Sequence, residues 1–144
     1  MADLLTDVLA DFLEDDMTTP TQLSLAHLRQ GGWTVDICER WVPNGAPGGG
    51  VRRDLFGLVD LVALRGSETM GVQTTSASNV AAHLRKMTDA EHAPAFVALA
   101  AAGWTLVIHG WRKSTRDGHA CTHGHKARCG CRWTLHRDME VTAR

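Results

Sequence analysis

The stretch that most constrains the fold is LVDLVALRGSETMGVQTTS, residues 58–76. Two apolar runs flank Gly66-Ser67, with Arg65 and Glu68 on either side. Gly-Ser suits a two-residue hairpin turn. The runs then pair antiparallel, with Leu64 opposite Thr69, Val62 opposite Gly71 and Asp60 opposite Gln73. Opposed residues share a face, their Cβ atoms about 4.5–5.5 Å apart. Thr75, two residues past Gln73, joins that face. A carboxylate, an amide oxygen and a hydroxyl therefore converge, all oxygen ligands that Mg²⁺ or Mn²⁺ accepts. The expectation depends on register, because a shift of one residue turns Gln73 to the other face.

Helices and strands surround this hairpin. Residues 2–16 place Leu5, Val8, Leu9, Phe12 and Leu13 at helical spacing with acids opposite, an acidic amphipathic segment (1–18) ahead of a domain at 19–144. A second helix spans 20–30 and stops at Gly31-Gly32. WTVDICERW, 33–41, alternates as one strand. Segment 42–53, with Pro43, Pro47, Gly45, Gly48, Gly49 and Gly50, reads as a mobile loop. Ser78 or Asn79 caps a helix to about Met87 that carries His83, Arg85 and Lys86. Thr88 with Glu91 is a capping-box pattern for another helix, reaching Ala102. TLVIHGW (105–111) and RWTLHRDMEV (132–141) are strands. The order α, α, β, β, β, α, α, β, β predicts a mixed α/β fold.

No apolar run reaches about 18 residues, so no membrane span is expected. No basic N-terminal region with a cleavage site follows the first Met, and a cytoplasmic location is the expectation. The net charge of −1 conceals an asymmetry. Residues 1–28 carry six acids and no Lys or Arg, whereas residues 112–144 carry eight Lys or Arg and three acids. The basic end is the one suited to nucleic acid.

GLVDLVAL followed by GVQTTS and a helix, in the order α-β-β-β-α-β, resembles the PD-(D/E)XK nuclease superfamily. Holliday-junction resolvases, VRR-NUC domains and many restriction enzymes belong to it. ERW, RRDLFGLVDLVAL, VQTTSASNVAAHLRKM and HGWRK together are similar to a group of small phage-encoded proteins of this type, over about residues 23–113 and the closing strand. The resemblance implies a restriction-endonuclease-like core on a mixed sheet; the extra N-terminal helix and a Cys/His zinc-loop insertion at 117–132 are additions of this chain, about which the resemblance says nothing. It implies metal-assisted hydrolysis of DNA phosphodiesters, on branched or phage DNA, in the host cytoplasm if the chain is phage-encoded. By this likeness Asp60 and Gln73 are the metal ligands, and Thr75 stands where the family has a lysine. Lys86 is the helix-borne stand-in, Glu39 the candidate early acid and Asp54 another acid. Many such nucleases are dimers, so the acidic helix could pair with its twin. The alternative is a non-catalytic relative that binds nucleic acid or a protein.

HACTHGHKARCGC, 119–131, crowds three cysteines among three histidines, which reads as metal before disulfide, although its one-residue gaps are not the spacing of a standard finger and strain a single tetrahedral site. A structural zinc needs four N or S ligands. Cys121, Cys129 and Cys131 plus one histidine, His123 or His125 with His119 as the spare, would supply them. An unliganded loop is the alternative. Candidate phosphate contacts are Arg52, Arg53, Arg85, Arg112, Lys113, Arg116, Lys126 and Arg128. His109 reads as a satisfied structural histidine, with an approach to the site as the alternative. Trp33, Trp41, Trp104, Trp111 and Trp133 read as core or sheet-rim residues that could also stack on bases. Cys38 reads as a small core residue.

Overall fold

A computed structural model describes residues 18–122 and 129–142. The expected acidic helix at 2–16 lies outside the described residues. The rest is mixed α/β around one five-stranded sheet. Helix α1 (Pro20–Gln30) starts on a capping box, in which the Thr19 hydroxyl accepts from Gln22 N–H and the Gln22 side chain accepts from Thr19 N–H. Strands β1 (Thr34–Ile37), β4 (Leu61–Arg65) and β5 (Glu68–Ser76) form an antiparallel meander. A 3₁₀ turn leads to α2 (Val80–Met87) and α3 (Ala93–Ala101), which return the chain to β6 (Trp104–Ser114), parallel to β5. Strand β7 (Arg132–Val141) closes the far edge antiparallel to β6.

Both faces of the sheet are covered. Leu28 of α1 packs with Val35, Leu61, Ala63, Met70, Val72 and Val107. Val80 and Met87 of α2 and Phe96 and Leu99 of α3 pack with Leu58, Val59, Leu106 and Ile108. Neighbours Leu106, Val107 and Ile108 split between the two clusters, as strand alternation requires. Gly110 lets the helical layer approach β6, since a Cβ there would lie 2.5 Å from Val80 Cγ2. Among the described residues no helix is long and apolar enough to cross a membrane.

The hairpin register is the one expected, with Leu64 opposite Thr69 and Val62 opposite Gly71. Three expectations are corrected. Residues 33–41 are not one strand: the chain breaks at Cys38-Glu39, where Cys38 N–H donates to Asp60 O at 2.9 Å. Residues 42–53 are not simply a loop, because β2 (Arg40–Pro43) and β3 (Gly50–Arg53) form a second hairpin. Its glycines build it: Asn44 Oδ1 accepts from Ala46 N–H in the turn, and Gly50 lies against the Trp41 ring, where a Cβ would be 2.6 Å from ring carbons. Helix α3 starts at Ala93, not near Thr88. The Thr88 hydroxyl donates back to Leu84 O, and Asp89 Oδ1 accepts from His92 N–H instead.

Candidate metal centres

The hairpin fixes the first centre. Asp60 sits just before β4, its N–H donating to Val72 O at 2.9 Å and its carbonyl accepting from Cys38. Its carboxylate is buried, and Oδ2 accepts three hydrogen bonds: Gln73 Nε2 at 3.0 Å, Thr74 N–H at 2.8 Å and the Thr74 hydroxyl at 3.1 Å. Gln73 Oε1 is buried and has no hydrogen-bond partner among the described residues. Thr74, not Thr75, therefore supplies the hydroxyl at Asp60. Thr75 is buried opposite Gly110 of β6. The Thr74 hydroxyl also lies 2.8 Å from that of Thr21, which ties α1 to the site.

Three acids converge here. Glu39 in the β1–β2 link, Asp54 in the β3–β4 link and Asp60 each offer a carboxylate oxygen within 4.8 Å of the others. Both secondary acid candidates thus join the Asp60–Gln73 pair. Burial, and then the neighbouring Asp54 carboxyl, push Asp60 up to about 7, while the Thr74 hydrogen bonds pull the other way. Lys86 Nζ stands 3.9 Å from Asp54 Oδ2, and Arg52 lies 3.6 Å from Glu39. His83, one turn before Lys86 on α2, has a buried Nδ1 without a partner among the described residues. Burial, and then Lys86, lower its pKa, with Asp54 opposing. Sequence reading assigned His83 no role, although its i,i+3 spacing to Lys86 marks a shared helix face.

Two open clefts border the acids. One, of about 780 Å³, is lined by Arg40, Arg52, Arg53, Asp54, Phe56 and Lys86. The other, of about 440 Å³, includes Glu39, Arg40, Trp41 and Arg52. Arg112 and Lys113 line neither. Arg112 is tied back to Gly118 O at 2.9 Å, and Lys113 is buried with its ammonium 5.7 Å from the centre of the Trp133 ring. Lys113 is thus withdrawn from an open phosphate contact. Arg85 is exposed on α2.

His109 is structural. It is 1% exposed, with Nδ1 2.9 Å from Ser24 Oγ and Nε2 3.5 Å from Asp138 Oδ1. Ser24 Oγ also accepts from Trp111 Nε1 at 2.8 Å. Ser, His and Asp meet here, but Ser24 is fully buried and no substrate reaches it.

The sulfurs of Cys121, Cys129 and Cys131 form the second centre, all within 4.8 Å of one another and Cys121 to Cys129 at 3.8 Å. Such a set could bind a metal such as zinc. His119 is not among the grouped ligands. His123, His125, Lys126 and Arg128 lie outside the described residues. Cys38 stands apart: its thiol donates to Val59 O at 3.1 Å, and burial raises its pKa to about 11. No protein-family model, curated protein or solved structure matches the chain.

Proposed function

We propose that this chain is a divalent-metal-dependent nuclease of the PD-(D/E)XK type. The observation that carries the reading is the gathering of Glu39, Asp54 and Asp60 within 4.8 Å beside a buried Gln73 Oε1 that has no partner among the described residues. The succession α1, β1, β4, β5, the α2–α3 crossover and β6 supports it, being the α-β-β-β-α-β order of the resemblance.

The donor set fits a hard cation. All four groups offer oxygen, the ligand type of Mg²⁺ and Mn²⁺. Burial and the neighbouring Asp54 carboxyl disfavour the charged form of Asp60, and a cation would relieve both. Glu39, Asp54, Asp60 and Gln73 Oε1 would hold the ion. When bound, it supplies phosphate charge neutralisation and acidifies water. Thr74 and Gln73 Nε2 keep the Asp60 carboxylate oriented by occupying Oδ2. Lys86, not Thr75, takes the part of the family lysine, its ammonium beside Asp54 offsetting charge that develops on the phosphate.

We assign the cysteine cluster to a structural zinc. A tetrahedral shell with Zn–S of about 2.3 Å has S···S edges of about 3.8 Å, which matches the Cys121–Cys129 separation of 3.8 Å. The fourth ligand would be His123 or His125.

The test is incubation of wild type and Asp60→Ala with plasmid, linear and four-way-junction DNA in Mg²⁺, Mn²⁺ or EDTA. Cleavage by wild type alone, abolished by EDTA, is the expected result. No cleavage of any substrate by folded protein would replace this reading with a binding module on a lapsed nuclease fold.

A further inference from the structure

We propose that the groove over the acids takes an unpaired nucleic-acid strand, whose bases stack on Phe56 and Trp41. The proposal rests on the nuclease reading for what happens to the strand, but not for its binding.

Phe56 is the first observation. It sits at the third position of the turn closed by Gly57 N–H donating to Asp54 O at 3.0 Å. Its φ is +55°, and no other described non-glycine residue has a positive φ. Glycine or asparagine suits that position, and a bulky aromatic there is strained. The fold recovers little from the ring, which is 60% exposed. Strain of this kind, on the turn that also carries Asp54, gathers at functional sites.

Trp41 is the second observation. One face of its ring lies over Gly50, and the residue is 55% exposed. Phe56 lines the larger cleft, Trp41 the smaller, and both clefts share Arg40 and Arg52. Across the second hairpin Trp41 pairs with Arg52, so one cation shares the face of the exposed indole, while the neighbouring pair Arg40–Arg53 belongs to the other face by alternation. Lys86 stands on the wall of the larger cleft.

This pattern selects its occupant. Arginines interleaved with exposed aromatic rings hold a polyanion that also presents flat faces. A duplex offers phosphates but keeps its bases stacked on one another. An unpaired strand offers both, and with phosphates on Arg40, Arg52 and Arg53 it passes beside Glu39 and Asp54.

The test is fluorescence anisotropy of the full chain with labelled oligo-dT, oligo-rU and a duplex of equal length, all in EDTA so that no metal chemistry contributes. Oligo-dT should bind at least about tenfold more tightly than duplex, and Trp41→Ala and Phe56→Asn should each weaken it by roughly five- to hundredfold. Equal binding of oligo-rU would sustain the proposal for any unpaired strand; weaker binding would sustain it for DNA. Because asparagine tolerates positive φ, Phe56→Asn should melt no lower than wild type, whereas a residue kept for the fold would melt lower. Duplex binding as tight as single strand, unchanged affinity in both variants, or no binding of any nucleic acid would overturn it. Cleavage in Mg²⁺ together with unchanged variant affinities would leave the nuclease reading standing and this one fallen. Weakened variants without cleavage would do the reverse.

Discussion

Gln73 donates through Nε2 to Asp60 Oδ2 at 3.0 Å, while its own Oε1 is buried with no partner among the described residues. A buried carbonyl oxygen without a partner costs about 1–3 kcal/mol. It sits beside a carboxyl cluster whose counter-charges, Lys86 at 3.9 Å from Asp54 and Arg52 at 3.6 Å from Glu39, leave the buried Asp60 without an ion pair among the described residues. One cation would answer both deficits.

The Gln73 variants test this directly. Gln73→Glu removes the donor to Asp60 and adds a fourth carboxyl. The metal-free protein should lose roughly 1–3 kcal/mol and gain more from saturating Mn²⁺ than wild type does. Gln73→Leu keeps the volume but offers no oxygen, and its Mn²⁺ response should shrink. Melting temperatures with and without Mn²⁺ read both effects, since an ion bound to the folded state alone raises stability. Equal Mn²⁺ shifts in all three proteins would remove Gln73 from the ligand set.

Thr74 and Thr75 should separate in the same way. Thr74→Val deletes a hydroxyl 3.1 Å from Asp60 Oδ2 and 2.8 Å from the Thr21 hydroxyl. A loss of about 1–3 kcal/mol in urea unfolding is expected, together with a weaker Mn²⁺ response. Thr75→Val leaves the Asp60 hydrogen bonds intact, and its Mn²⁺ response should match wild type. The opposite ranking would return the site hydroxyl to Thr75.

The legible parts of this site were those governed by local periodicity. Once Gly66-Ser67 is the turn, antiparallel pairing fixes the register as far as Leu61 opposite Val72 and so brings Asp60 beside Gln73. The ladder stops there: Asp60 N–H donates to Val72 O, and Asp60 and Gln73 meet through their side chains. Thr74 was hidden because its side chain belongs to the other face by alternation, yet its own N–H and hydroxyl both reach Asp60 Oδ2. Glu39 and Asp54 were visible as acids, but their convergence depends on the break at Cys38-Glu39, which a tertiary hydrogen bond to Asp60 O holds. The second hairpin was illegible for a similar reason. Glycines and prolines describe a mobile loop and a tight turn equally well, and what decides is the Trp41 ring lying over Gly50. The cysteines were legible as a set because few residues separate them.

The cysteine cluster predicts bound metal. Protein purified without chelators should carry one zinc per chain, and Cys129→Ser should carry none. Of His123→Ala and His125→Ala, one should lose zinc and so identify the fourth ligand. Cobalt exchanged into the site should give the intense thiolate charge-transfer absorption that a bare loop lacks. Elemental analysis without zinc would end the assignment.

His109 predicts how stability follows pH. Burial lowers its pKa from 6.5 to about 4; Asp138 opposes this and His27 adds to it. The unfolded chain takes up this proton near pH 6.5, the folded chain only near pH 4. The stability from this group is therefore whole above pH 6.5 and declines as pH falls to 4, by at most roughly 3 kcal/mol at about 1.36 kcal/mol per unit. Asp60 runs the other way: raised from 3.8 to about 7, it contributes fully below pH 3.8 and loses that contribution as pH rises through 7. In metal-free wild type the two offset each other between pH 4 and 7. Asp60→Asn removes the second, so its unfolding free energy in EDTA should fall more steeply from pH 7 to pH 4 than that of wild type. Adding His109→Gln to Asp60→Asn should flatten that fall, and an unchanged slope in the double variant would show that a different group carries it.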